Sequence, residues 1–302
     1  MIAMRNVRRG VRNHQRDVML VQDMLNRECG SNLLVDGDYG GKSEAAVRSL
    51  QSNVLHVEPT GIVGQAEWMY LLSDIDVLEL RMASDVVWSY DHINYGGKGS
   101  FTEQQTDKDI VVLHHTVSGR NAYNVSDYFS TKPYATHFII GGDGTILQTA
   151  PLSWWAWHIN MRADDKSISA NHERMMARRS IGIEICCWGA LNEKDGKLYN
   201  SAMQQVQHDN AIYYEQAYVG KHYYEKYTTE QVHAVKILLR ALSQHGYYKH
   251  DKRDYNDRRW LETDKEAIAG KRGLVSHTNM RAYGSKSDIH PQPDMMQMLC
   301  EL

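Results

Sequence analysis

Apolar positions follow two different rhythms along the chain. Up to about residue 73 they recur at helical spacing. Val18, Val21, Met24 and Leu25 share one face of a first predicted helix. Ala46, Val47, Leu50 and Val54 line a second, and Trp68, Leu71 and Leu72 mark a third. The last two helices each follow a glycine turn. Asp36-Gly37-Asp38-Tyr39-Gly40 recurs as Thr60-Gly61-Ile62-Val63-Gly64, with both glycines displaced by 24 residues. Glycine tolerates the positive φ of tight turns, so this internal repeat frames two turn-helix pieces inside a three-helix unit of roughly 70 residues.

From about residue 109 short β-rich runs alternate with helical patterns. Ile110-Val111-Val112-Leu113 reads as a strand. His137-Phe138-Ile139-Ile140 and Thr145-Ile146-Leu147-Gln148 flank Gly141-Gly142-Asp143-Gly144, a hairpin signature. Ser180 to Ile185 alternates strictly: Ile181, Ile183 and Ile185 share one face, and Gly182, Glu184 and Cys186 the other. Thr228-Thr229-Glu230-Gln231 is a capping box. It opens a helix with Val232, Val235, Leu238, Leu239 and Leu242 inward and an end near Gly246. The densely charged residues 248–272 predict a solvated insertion, with a short helix starting at a Thr-x-x-Glu box on Thr263 and stopping at Gly270. Tyr95-Gly96-Gly97-Lys98-Gly99-Ser100 reads as a flexible link. The expected organisation is a helical domain over 1–75, a linker over 76–104 and a second domain over 105–302. The fold class is α+β or α/β: a small three-helix N-terminal domain, then a mixed central β-sheet domain flanked by helices.

Composition narrows the function. The 302 residues are 42% hydrophobic and 24% charged, which is ordinary globular usage. A net charge of −3 gives no basic surplus for nucleic acid or an anionic membrane. No apolar run approaches the ~18 residues of a membrane span. Arg8 and Arg9 are followed by no apolar stretch, so no Sec or twin-arginine leader is expected, and synthesis in a cytoplasm is. Four cysteines are too few for a disulfide framework, and Cys186 and Cys187 read as reduced core thiols. Tyrosine (18) and tryptophan (7) far outnumber phenylalanine (3); such polar-tipped rings suit wet binding grooves as well as cores.

Candidate chemistry clusters at strand ends. His114 closes the Ile110–Leu113 run, and its neighbour His115 is expected on the opposite face. Val275-Ser276-His277 is a second apolar-then-histidine step, and Asp288 follows eleven residues later. Two imidazoles and a carboxylate make an open three-ligand zinc site. Fifteen histidines offer many other combinations, so spacing alone does not select this one. Glu184, a lone carboxylate in an apolar strand, either faces solvent at an edge or serves a site; beside zinc-bound water it would be a general base. Asp36 to Glu44 has the outline of a calcium loop, but Gly40 stands at the fifth position, where an EF-hand needs an oxygen ligand.

Two resemblances follow from these residues. Val35 to Gly40, Ser43 to Val47, Leu50-Gln51, Thr60 to Gly64 and Trp68 resemble the helical peptidoglycan-binding domain attached to many cell-wall hydrolases, over roughly residues 14–73. Five blocks occur in order over roughly 105–298: Val111 to Thr116, Thr136 to Ile140 with Asp143-Gly144, Ala156-Trp157-His158, Ser180 to Glu184, and His277 with Lys286 and Asp288. Together they resemble the zinc-dependent N-acetylmuramoyl-L-alanine amidases of the peptidoglycan recognition protein superfamily.

The second resemblance implies zinc (Zn2+) on His114, His277 and Asp288, with His290 the nearest rival for the third place. It implies Glu184 as catalytic base and Lys286 as stabiliser of the oxyanion. Thr136 stands where some members carry a catalytic tyrosine, which leaves Glu184 favoured. His115, Thr136, His137, Trp157 and His158 are the implied substrate-binding residues, and Trp154 and Trp155 belong to the groove or the core. The implied reaction is hydrolysis of the amide joining muramic acid to L-alanine. The expected partner is bacterial peptidoglycan, without nucleic acid or membrane insertion, and the chain is expected to be a monomer. A phage endolysin held in the host cytoplasm and released to the wall is the leading expectation. An injected antibacterial amidase and a non-catalytic peptidoglycan receptor are the rivals; loss of a ligand or the base would mark the receptor, and Asp288 and Glu184 are both present.

Overall fold

Helix α1 (Gln15–Cys29) buries Val18, Val21, Met24 and Leu25, as the spacing predicts. It packs with α2 (Gly41–Asn53) and α3 (Gln65–Leu71) around Val47, Leu50, Trp68 and Leu71. Val54 instead caps α2 and is exposed. The computed structural model describes residues 6–13, 15–71, 88–90, 101–102, 104–163, 165–249, 258–281 and 286–302. Leu72, the Tyr95–Ser100 link and most of the expected linker lie outside them.

The internal repeat has a physical basis. Gly37 and Gly61 have φ of +77° and +72°. A buried glutamine reads each turn from the preceding helix. Gln22 Oε1 accepts from the backbone N–H groups of Asp36 and Gly37, and Gln51 Oε1 accepts from that of Gly61. Asp36 Oδ1 accepts from Gln22 Nε2 and the Asp38 N–H, so its hydrogen bonds close the turn on itself.

The second region is built on strands β1 (Trp88–Tyr90), β2 (Phe101–Thr102), β3 (Ile110–His115), β4 (Phe138–Ile140), β5 (Ile146–Gln148), β6 (Trp155–Ala156) and β7 (Ser180–Ile185). Strands β8 (Ala190–Lys194), β9 (Lys197–Tyr199), β10 (Gln205–Val206), β11 (Ala211–Tyr218), β12 (Lys221–Glu225) and β13 (Leu274–Ser276) follow. The central sheet has the order β1-β5-β4-β7-β3-β13. Only the β4–β5 hairpin in it is antiparallel. Thus β1, inside the stretch expected as linker, adds an edge strand to this sheet.

Helices cover both faces, which is why β3 is buried along its whole length. Ile181, Ile183 and Ile185 meet Leu238, Leu239 and Leu242 of α6 (Thr229–Gln244) and Met295 and Leu299 of α8 (Pro293–Cys300). The predicted capping box on Thr228 and Gln231 forms in full. On the other face Val112 and Val275 join Met176 and Ala177 of α5 (Ala170–Arg179). Ile139 and Leu147 there pack on α4 (Ala122–Ser130). Cys186 and Cys187 are buried free thiols.

Three features depart from the sequence reading. A five-stranded antiparallel sheet of order β10-β9-β8-β12-β11 occupies residues the apolar pattern left unassigned, because its strands are mostly short and only partly buried. Residues 248–272 are not simply solvated: Tyr248, Trp260 and Ala267 are buried, and burial of such rings outweighs the charges around them. The short helix α7 (Lys265–Ile268) is capped by Asp264, not Thr263, whose hydroxyl donates to the Arg281 carbonyl. Aspartate accepts from two N–H groups at once, those of Glu266 and Ala267.

Candidate active site

Parallel pairing decides which side chains meet. His114 is the register partner of Glu184 across β3 and β7. His277 follows β13, which pairs with β3 on its other side, and its N–H donates to the Leu113 carbonyl at 2.9 Å. The next residue brings in the third group. Thr278 donates to the Asp288 carbonyl from its N–H at 3.0 Å and from its hydroxyl at 2.6 Å. The Asp288 loop is thereby tied beside His277.

The three side chains converge at one point. His114 Nδ1 and His277 Nδ1 are 2.9 Å apart. Asp288 Oδ2 is 2.9 Å from His277 Nδ1 and 3.9 Å from His114 Nδ1. Hydrogen-bond partners assign the tautomers. His277 Nε2 donates to the Ile159 carbonyl at 2.7 Å, so in the neutral ring Nδ1 carries the lone pair. A directional chain fits His114: its Nε2 donates to His158 Nδ1 at 3.0 Å, His158 Nε2 donates to Ser180 Oγ at 2.9 Å, and Ser180 donates to the Ala177 carbonyl. That places a second lone pair on His114 Nδ1. Burial, then the neighbouring His277 and His158, hold the His114 pKa well below the ordinary value, so the ring is neutral.

With both rings neutral, two lone pairs and a carboxylate oxygen face one another, an arrangement that a cation among them would hold. A tetrahedral ion with arms of about 2.0–2.1 Å separates its ligands by roughly 3.3 Å, a value the observed spacings bracket. The donor set of two imidazoles and one carboxylate suits zinc. Among the described residues these three form the one cluster able to hold a metal.

A cavity of about 590 Å³ opens onto the cluster. Glu184 lines it, half-buried, with Oε2 shut off from solvent and without a hydrogen-bond partner. Burial first and Asp288 second push its carboxyl up to about 8, against the pull of Lys286. Asp288 stays well below the usual carboxylate range: burial alone would raise it, but His115, His277 and Lys286 together outweigh burial. Lys286, Trp157 and His158 also line the cavity.

The remaining expected site residues divide. His115 belongs by register to the opposite face, yet it lines the same cavity, because at the strand end Asp288 reaches around to within 3.2 Å of its Nε2. Thr136 and His137 lie behind the cavity wall and do not line it. His137 is already satisfied there: Nδ1 accepts from the Gly182 N–H and Nε2 donates to the Trp154 carbonyl, while burial presses its pKa to about 3. Trp155 is buried in the core under the Arg178 guanidinium. His290 is engaged elsewhere, with Tyr214 and the Glu225 carbonyl. Sequence reasoning missed Phe129, Tyr134, Asn160, Glu173 and Arg281 on the cavity wall. Tyr134 alone left a signal, as an aromatic two residues before Thr136; its phenol is pushed up to about 12 by burial, Tyr128 and Glu184.

Residues 103–292, more than half of the chain, match the family described as N-acetylmuramoyl-L-alanine amidase. Residues 14–71 match a peptidoglycan binding domain. No curated protein matches the chain. Similar solved structures include the catalytic domain of XlyA, at 16% identity over 71% of this chain and 97% of that one, with a TM-score of 0.38. The endolysin amidase LysCS of Clostridium intestinale URNW shares 16% identity over 67% of this chain and 86% of its own, with a TM-score of 0.34. AmiD from E. coli, in complex with anhydro-N-acetylmuramic acid-L-Ala-D-gamma-Glu-L-Lys, shares 16% identity over 58% of this chain and 50% of its own, with a TM-score of 0.32.

Proposed function

We infer that this chain, which belongs to the N-acetylmuramoyl-L-alanine amidase family, is a zinc hydrolase that cuts the amide between N-acetylmuramic acid and L-alanine in peptidoglycan. The observation that carries this reading is the convergence of His114, His277 and Asp288 beside an unpartnered Glu184 in one cavity. When bound, zinc supplies a Lewis acid and makes a water more acidic. Glu184 takes the proton as the water oxygen attacks the carbonyl carbon. It returns that proton to the nitrogen as the carbon–nitrogen bond breaks, which frees the stem peptide as an amine. The Lys286 ammonium faces the negative charge that develops on the carbonyl oxygen. Trp157 and Tyr134 offer flat walls to sugar and peptide.

The N-terminal domain serves as the anchor on insoluble wall. Such an anchor helps bulk degradation more than turnover of soluble fragments, which supports wall lysis by an endolysin as the biological role. Mass spectrometry of purified peptidoglycan after digestion, with and without a chelator, tests the reaction. Free stem peptides that appear only without chelator are expected. Cleavage between sugars would make the enzyme a glycosidase, and intact glycan with bound protein would make it a receptor.

A further inference from the structure

The two oxygens of Asp288 face different neighbours. Oδ2 points at His277 and His114, while Oδ1 lies 3.2 Å from His115 Nε2. An ionised carboxylate only accepts, so Nε2 is the nitrogen of His115 that carries hydrogen. The other nitrogen, Nδ1, is 3.4 Å from the Tyr227 hydroxyl, which can donate to it. The His115 ring is buried.

Behind this contact stands a stack of buried rings. Tyr227 lies flat on His290, with centroids 4.4 Å apart and planes 12° apart. His290 donates from Nε2 to the Glu225 carbonyl at 2.9 Å, and its Nδ1 accepts from the Tyr214 hydroxyl at 2.8 Å. Tyr214 sits on β11 and Glu225 on β12, so the antiparallel sheet buttresses the stack. Room for the His115 ring depends on Gly189, where an added Cβ would stand 2.6 Å from Nε2.

Thr278 fixes the backbone of Asp288 but leaves its carboxylate free to turn. We propose that His115, backed by Tyr227 and the His290–Tyr214 pair, is a positioning residue that holds Oδ1 of Asp288 so that Oδ2 alone is presented to the metal. This rests on the zinc reading given above. It gives His115 a task other than substrate contact, and it gives the antiparallel sheet a part in assembling the site. Contacts of this kind around a metal ligand typically carry a 10–100-fold effect on metal affinity, by orienting the ligand.

The test measures zinc affinity of the full chain by competition with a chromophoric chelator. Wild type is compared with His115→Leu, which fills the ring's space without a donor, and His115→Gln, whose amide N–H reaches toward the place of Nε2–H. Circular dichroism verifies the fold of each. His115→Leu should bind zinc about 10–100-fold more weakly, and His115→Gln should recover most of that loss. With cobalt(II) in place of zinc, the visible bands should change in the leucine variant and return in the glutamine variant. Wild-type zinc affinity in His115→Leu, with only a raised KM, would make His115 part of the substrate wall and overturn the proposal. Equal losses in both variants would trace the effect to ring packing and overturn it as well. If wild type itself takes up no zinc, the metal reading falls first and the clamp with it.

Discussion

Replacing Glu184 by glutamine separates chemistry from architecture. The side chain keeps its shape, and the register of β7 against β3 and β4 is untouched. Oε2 makes no hydrogen bond, so the amide forfeits none there. Burial has already raised the carboxyl to about 8, which means the fold disfavours its charged form. Unfolding free energy of the metal-free chain should therefore hold or rise in the variant. Catalysis should not hold. Loss of a general base lowers turnover about 10²–10⁴-fold, equivalent to roughly 2.7–5.5 kcal/mol of barrier. Zinc should stay at one per chain, because the proposed ligands His114, His277 and Asp288 are intact. Stem-peptide release from sacculi, metal content by mass spectrometry and a thermal melt after chelation read the three quantities. Asp288→Asn is the contrast: a neutral amide is a poorer ligand, so that variant should be depleted of metal. Near-full turnover by Glu184→Gln would place the base elsewhere. Loss of zinc from the same variant would make Glu184 a ligand rather than a base.

Other expectations follow from the same geometry. Gly182→Ala puts a Cβ 2.8 Å from Thr136 Oγ1 and 2.9 Å from His158 Cγ, so it should push His158 off His114. It should cost about 1–3 kcal/mol in urea unfolding and weaken zinc about 10-fold by chelator competition; unchanged zinc affinity would detach His158 from the metal site. Lys108 is buried, and burial lowers its pKa to about 7. Between there and its ordinary value the unfolded chain holds a proton that the fold has released, so stability should rise with pH. The slope relative to Lys108→Met should reach at most about 1.4 kcal/mol per unit; parallel pH curves for the two proteins would contradict it. A fragment of roughly residues 1–80 should pellet with insoluble peptidoglycan and hydrolyse nothing, since its core is self-contained. A fragment that begins ahead of Trp88, and so keeps β1 on the central sheet, should cut soluble muropeptides but lose efficiency on sacculi. Equal binding of sacculi by both would reduce the first domain to a spacer.

How much of this was legible depended on how each feature is encoded. Helix α1 and the strictly alternating β7 bury a regular stripe, so periodicity exposed them. The Thr228 capping box is local chemistry and was equally plain. The glycine repeat was visible, but its partners Gln22 and Gln51 were not, because a buried glutamine looks like any polar helix residue until its turn is in place. The antiparallel sheet escaped for the opposite reason. It exposes most of β8 and half of β11, and the adjacent tyrosines of β11 and β12 fall on both faces, so alternation is blurred. Thr136 and His137 followed a motif that carries identity but not depth. Whether such residues meet solvent depends on Trp154 and Gly182, which come from elsewhere in the chain.

The metal cluster shows most clearly where a pattern needs topology to become a site. His114 and His277 are 163 positions apart, and spacing could not pair them among fifteen histidines. Yet Leu113-His114 and Ser276-His277 are the same event seen twice: an apolar strand that ends in an imidazole. Two such strands placed side by side in parallel send both rings off the same sheet edge, where the carboxyl ends of parallel strands leave room for a ligand. β3 and β13 are that pair, with Ser276 in register with Leu113. Glu184 arrives by the same rule from β7 on the other flank of β3. Once the strand order is known, the proposed base and two of the proposed ligands are placed by register alone. Asp288, which lies on no strand, is the group that needs outside help, through Thr278 at its backbone and His115 at its side chain. A defect in either support should therefore show first as weakened metal binding, before the sheet itself is disturbed.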